Sequence, residues 1–208
     1  MTKLLSRTFA ALATVMGLAG SALVAAQDAA PDQLVKNVST EVIDIIRADK
    51  AIQGGDMKRI SEVIEAKIVP HFNFGRMTAL AVGPNWRRAT PEQQKALSDQ
   101  FRTLLVRTYS TGLSSYRDEK IIYKPMRIQP ADTEVTVRSE IRRAGGEPVT
   151  IDYSMERGTG PWKVYDVVIG GVSLVTTYRD SFREEVRATG IDGLIKSLVA
   201  KNQQMASK

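Results

Sequence analysis

The 208 residues contain no cysteine and a single histidine, His71. The first absence excludes disulfides, thiol nucleophiles, cysteine-ligated zinc and an acylated lipoprotein N-terminus. The second leaves one imidazole and scattered carboxylates, which is no metal-ligand set and a poor start for a histidine-dependent triad. Repeats and low-complexity segments are missing, and beyond residue 26 no apolar run approaches the ~20 residues of a membrane span. Neither sign of charge dominates: 29 Lys and Arg are interspersed with 23 Asp and Glu, for a net charge of +6. The clustered basic stripe of a nucleic-acid binder is therefore absent.

Lys3 and Arg7 precede an uncharged run from Thr8 to Ala26 that is rich in Ala, Leu, Val and Gly and closes on Val24-Ala25-Ala26. A basic start, an apolar middle and a small-residue end predict a secretory signal peptide over residues 1–26, cut before Gln27. The remaining residues 27–208 carry a net charge of +4. They suit one domain with a core large enough to do without disulfides in a bacterial periplasm.

Apolar residues recur at helical spacing over 31–53, with Pro31 in the first turn, and again from Met57 to Ile68, closed by Pro70. A short helix is predicted over 74–82, stopped by Gly83-Pro84. Thr90-Pro91-Glu92-Gln93 is a capping-box start for a helix reaching about Tyr116. The period then changes to two. Extended segments are predicted over 120–128, 133–143, 147–157 and 162–169, punctuated by Ala144-Gly145-Gly146 and Gly158-Thr159-Gly160-Pro161. The last of these is apolar on both faces, so it is expected to be covered on both sides. Two C-terminal helices within 172–201 follow, separated at Gly190. Helices, then an antiparallel meander of about four strands, then helices make an α+β fold.

The stretch "WKVYDVVIGGVSLV" (162–175) poses the chemical question. Gly171-Val172-Ser173 begins like a nucleophile elbow, but the closing glycine is Val175. The phosphate-loop pattern is also missing. Asp166 beside Tyr165 has the makings of an isomerase pair; pairing of Asp166 with an Arg or Lys across the sheet is favoured over it. Ser173 is expected to supply a helix-start hydroxyl. No catalytic residue, metal or cofactor is assigned.

What remains is apolar material in excess. Phe72, Phe74, Met77, Leu80 and Trp86 crowd a connecting region, and Phe101, Leu105 and Tyr109 face inward from the long helix. Val137, Ile151 and Tyr153 lie on the inner face of the sheet, and Val168, Val172, Leu174 and Val175 surround the paired glycines. A strongly twisted, cone-like sheet packed by helices leaves room for an apolar cavity at its centre, and these are its candidate lining residues.

"VGPNWRRATPEQQKALSDQFRTLLVRTYSTGLSSY", "WKVYDVVIGGVSLVTTYRDSF" and "GIDGLIKSL" together resemble the toluene-tolerance/MlaC family over nearly all of residues 27–208. The pattern departs from the family at Ile169-Gly170, where an acidic residue commonly precedes Gly-Val-Ser. The resemblance implies an NTF2-like cone and a monomeric periplasmic carrier of phospholipid in a Gram-negative bacterium. It also implies traffic between an outer-membrane lipoprotein/porin complex and an inner-membrane ABC transporter with a substrate-binding ring, preserving outer-membrane lipid asymmetry and solvent tolerance. The physics of that task is severe: about 30 methylenes at ~0.8 kcal/mol each make transfer of a two-chain lipid to water cost roughly 24 kcal/mol. Two other readings stand beside it: an isomerase or hydrolase on the same cone using Asp166, Tyr165 or Ser173, and a periplasmic interaction domain without a ligand. A charge at Val172 (Val172→Glu) is expected to abolish lipid retention.

Overall fold

The computed structural model describes residues 29–114, 116, 119–143 and 145–207; the expected signal peptide lies outside them. α1 (Pro31–Ala48) opens with Pro at its first helical position, where the missing N–H had no partner to lose. It buries Val35, Val42 and Ile46 on one stripe. The single helix expected over 31–53 is two helices. Asp49 leaves helical geometry at φ −95°, ψ 105°, and its carboxylate caps α2 (Lys50–Gln53) by accepting from the Ala51 and Ile52 N–H groups. Arg59 donates to the same carboxylate at 2.8 Å and holds its pKa below the usual range. A side chain that caps and pairs at once overrides an apolar period that continues through it.

α3 (Met57–Val63) passes into a π turn over Ile64–Ile68 and a 3-10 turn over Val69–His71. Asn73 caps α4 (Phe74–Val82), which stops at Gly83. α5 (Pro91–Ser114) starts in the expected capping box: the Thr90 N–H donates to Gln93 Oε1 at 3.0 Å, and the Gln93 N–H donates to Thr90 Oγ1 at 3.2 Å.

The sheet is an antiparallel meander in chain order: β1 (Lys120–Tyr123), β2 (Glu134–Arg142), β3 (Val149–Glu156), β4 (Lys163–Ile169) and β5 (Val172–Ser173). β1 stops short of Pro125, which cannot donate to the ladder. The sheet therefore has five strands rather than four, and the extra one corrects the expected helix at residue 172. Val172 pairs with Ile169, and Ser173 with Val168. Gly170 (φ 56°) and Gly171 (φ 85°) both take positive φ, the two-residue hairpin geometry whose twist matches the flanking strands. Only after a 3-10 turn over Thr176–Tyr178 does α6 (Arg179–Ala206) begin, and it breaks at Gly190 (φ 77°), where two helices were expected to part. Gly170→Ala should cost about 1 kcal/mol by forcing an L side chain into the left-handed region. A urea midpoint equal to that of the wild type would refute it.

β4 carries a second correction. Ser154 pairs with Asp166 but Met155 pairs with Val164, so Tyr165 is the extra residue of a β-bulge. The bulge resets the alternation, and Val164, Val167 and Ile169 come to the one inner face. Apolar residues at both parities of this strand thus arise from a phase shift, not from cover on two sides.

The core forms as three clusters. One joins α4, α5 and α6 around Phe101 and Phe182; a second lines the inner sheet around Met155 and Trp162; a third holds α1, α2 and α3 together around Ile52 and Ile60. They do not merge, and the space where they would meet is the cavity.

Candidate functional site

Two adjoining cavities occupy that junction, one of about 600 Å³ and one of about 200 Å³. The larger takes walls from all three clusters: Ile64 and Ile68 from the first helices, Met77 and Leu105 from α4 and α5, and Val167 and Ile169 from β4. α1 closes the smaller with Leu34, Val38 and Val42. Phe72, Tyr116, Ile141, Ile151 and Tyr153 line both, so the two are lobes on either side of a shared partition.

Local structure explains how the partition is held. The Asn73 N–H donates to the Val164 carbonyl at 2.8 Å, which docks the Phe72–Phe74 segment on the exposed edge of β4. The Phe72 and Phe74 rings stack at 5.8 Å. Tyr153 hydrogen-bonds Ser139 of β2 and Ser39 of α1, and burial pushes its phenol up to about 12, so it stays protonated. His71 lines the smaller lobe; burial first, then the charge of Lys163, lowers its pKa, and the imidazole is neutral at pH 7.

Of the residues the sequence nominated, Phe72, Phe74, Met77, Leu105, Tyr109, Ile151, Tyr153 and Leu174 do line the larger lobe. The others go elsewhere, for physical reasons. Phe101 and Val175 are buried in the cluster of α4, α5 and α6, and Leu80 and Trp86 pack against the same cluster. Val137 is sealed within the sheet cluster. Val168 sits opposite Asp152 and Ser173, on the face turned away from the cavity by the bulge. Val172 is 59 % exposed on the hairpin, so the charge test proposed for it belongs to a lining residue instead. Sequence reasoning missed the contributions of α1 and of the π turn. A helical stripe has the same pattern whether it meets another side chain or a cavity.

Two of the groups nominated for catalysis, Ser173 and Asp166, are engaged in holding the hairpin. Ser173 Oγ donates to Asp166 Oδ2 at 2.7 Å and accepts from the Thr176 N–H at 3.0 Å, so its role as a turn-start hydroxyl holds, for a 3-10 turn rather than the expected helix. Asp166 also accepts from the Val167 N–H at 2.8 Å and the Val175 N–H at 3.2 Å. These three donors replace the expected Arg or Lys partner. Tyr165 donates to Glu134 at 3.3 Å and lies under the Arg76 guanidinium, 3.7 Å away. Ser173→Ala should cost about 1 kcal/mol of stability through the lost cap while lipid content stays unchanged. A large drop in bound lipid at unchanged stability would revive a chemical role for this hydroxyl.

Among the described residues no group of three or more His, Asp or Glu is placed to hold a metal ion, and no helix is long and apolar enough to cross a membrane. Among the described residues that line the larger lobe, the charged ones are Glu119, Arg143 and Glu147. An α+β domain whose layers part around a two-lobed apolar space is the architecture of a protein that encloses an apolar ligand.

Comparison with known proteins agrees. The chain belongs to the MlaC family, whose model, described as MlaC protein, matches residues 36–200. It is 23 % identical over 170 residues to the toluene tolerance protein ttg2D of Pseudomonas putida, covering 81 % of this chain and 78 % of that one. It is 23 % identical over 184 residues to the intermembrane phospholipid transport system binding protein MlaC of Haemophilus influenzae, covering 87 % and 84 %. A phospholipid-binding protein from Ralstonia solanacearum, solved in complex with a phospholipid, superposes with a TM-score of 0.79 at 38 % identity, covering 86 % of this chain and 99 % of that one.

Proposed function

We propose that this protein is a non-enzymatic carrier that holds one phospholipid with its acyl chains in the two lobes and its head group at the mouth. The observation that carries the reading is the two-lobed apolar cavity, about 800 Å³ in all, in a chain 38 % identical to a protein solved with a phospholipid bound. That volume lies within the ~300–1,000 Å³ of ligand pockets. A carrier of this kind works by equilibrium enclosure. The chains leave one apolar environment for another, and the large cost of exposing them to water is avoided at each end.

Membership of the family supports a periplasmic setting, and on this reading the protein works as a monomer passing lipid between an outer-membrane lipoprotein/porin complex and an inner-membrane ABC transporter, with outer-membrane lipid asymmetry as the outcome. Residues 1–26 supply the export signal on this reading. Native mass spectrometry and organic extraction of the purified protein test it. About one phospholipid per chain is expected. A protein that carries none and takes up none from liposomes overturns the carrier reading.

A further inference from the structure

The smaller lobe ends blind behind α1. Val35, Val42, Ile46, Met155 and Val164 stand in its wall, and each is sealed from solvent at 5 % exposure or less. Among the described residues that line it, none is Asp, Glu, Lys or Arg, whereas charged side chains do line the larger lobe. A head group therefore stays on the side of the larger lobe. An acyl chain that passes Phe72 and Tyr153 of the partition ends against α1 and the sheet. That end is tied down. Tyr153 hydrogen-bonds Ser39 of α1 and Ser139 of β2, and Glu41 of α1 pairs with Lys67 of the π turn at 2.6 Å. The lobes are also unequal. A methylene takes about the space of a water molecule, ~30 Å³. On that measure the 200 Å³ lobe takes about seven carbons and the 600 Å³ lobe about twenty.

We propose that the paired lobes measure acyl-chain length, with the blind lobe behind α1 as the stop of the ruler. The inference rests on the carrier reading and adds a specificity to it. One chain lies in the larger lobe, and the end of the other reaches into the smaller. Together they hold about 27 carbons. A surplus carbon has no exit through the sealed wall, so it is pushed back towards water. Each methylene exposed there lowers loading about fourfold relative to a bilayer or micelle, where it stays dry. Forcing it into the lobe strains a packed wall and acts in the same direction. A chain that is too short leaves part of a lobe without contacts. Loading therefore peaks at the length that fills both lobes. Dimyristoyl chains, with about 26 carbons past the carboxyls, fill them, and distearoyl chains, with about 34, overrun them by about seven. Some of the overrun folds back on the exposed apolar rim at Tyr109 and Val149, so the expected discrimination is about tenfold or more rather than the full product.

The test exchanges the lipid of the full-length mature protein against mixed detergent micelles. These hold dilauroyl, dimyristoyl, dipalmitoyl and distearoyl phosphatidylcholine in equal amounts, so the head group is constant. The protein is then repurified, and the bound lipids are quantified by mass spectrometry. The wild type is expected to bind the dimyristoyl lipid most, in about tenfold or greater excess over the distearoyl lipid. Val38→Phe, which puts a ring into the smaller lobe, should move the maximum to the dilauroyl lipid. Val42→Ala, which deepens that lobe, should raise the dipalmitoyl share. Circular dichroism confirms that each variant is folded. Wild-type loading in the micelles' own ratio, or distributions from both variants that match the wild type, overturns the inference while the carrier reading stands. A protein that binds none of the four lipids overturns both.

Discussion

Ile151→Glu is expected to leave the protein folded and strip it of lipid. Ile151 is a β3 residue in the partition that both lobes share, and its side chain meets the apolar space from the inner face of the sheet. A carboxylate enclosed there against acyl chains has no partner, which costs about 3 kcal/mol or more. That is a fall of more than about a hundredfold in affinity. With lipid gone, water can enter the lobe and solvate the charge, so the fold survives with a melting temperature lowered by no more than about 8 °C. Extraction and native mass spectrometry read the lipid, and circular dichroism reads the fold. A variant that melts near the wild type and still carries a full complement of phospholipid would show that the lobes are not the lipid site.

Arg76→Ala should produce the largest loss of stability outside the buried clusters. Arg76 leaves the first turn of α4 and reaches the sheet: it pairs with Glu134 of β2 at 2.8 Å and with Glu156 of β3, and its guanidinium covers the ring of Tyr165. Asn73, the cap of α4, donates to the other oxygen of Glu156 at 2.8 Å. One side chain therefore fastens the helix start, and with it the Phe72–Phe74 wall of the cavity, to three strands. Removing it takes the cation away from two carboxylates, one of them half-buried, at a cost of roughly 2–3 kcal/mol, or about 5–10 °C in a domain of this size. Lipid should also escape faster, because the wall is less firmly held. Arg76→Lys should recover little, since an ammonium cannot serve two carboxylates in a fork and stack on a ring at once.

The same cluster sets a pH dependence. The hydrogen bond from Arg76 holds the Glu134 carboxyl below its ordinary value of 4.5. A carboxylate with a lowered folded-state pKa contributes stability that is fully present above its unfolded value, near pH 4.5, and that is lost as the pH falls through the folded one. Stability curves of the wild type should fall more steeply below pH 4.5 than those of Arg76→Ala. Parallel curves would remove Glu134 from the account.

Much of this protein is written locally and was legible for that reason. A capping box needs only Thr90 and Gln93, and a helix break at Gly190 needs only the absence of a side chain. The period-two alternation of β2 and β3 follows from one wet and one dry face, and its inner residues Ile151 and Tyr153 are where the pattern puts them. The dense apolar groups at Phe72, Phe74 and Met77 announced more greasy surface than a connecting segment requires. The family motifs added the ligand class, which no periodicity contains.

Non-local choices were not legible. Gly170-Gly171 reads equally as a turn into a helix or as a hairpin, and only pairing with β4 makes Val172 and Ser173 a strand and turns Val172 to solvent. The bulge at Tyr165 arises only in the pairing of β4 with β3, and it decides that Val167 faces the cavity and Val168 does not. The partition of the apolar residues into packed core and cavity wall is decided last. Phe101 and Leu105 are four residues apart on one helical stripe, yet Phe101 packs against Phe182 while Leu105 looks into the larger lobe. Hydrophobicity drives both out of water alike, and whether a side chain or a ligand meets them depends on where three clusters stop short of one another.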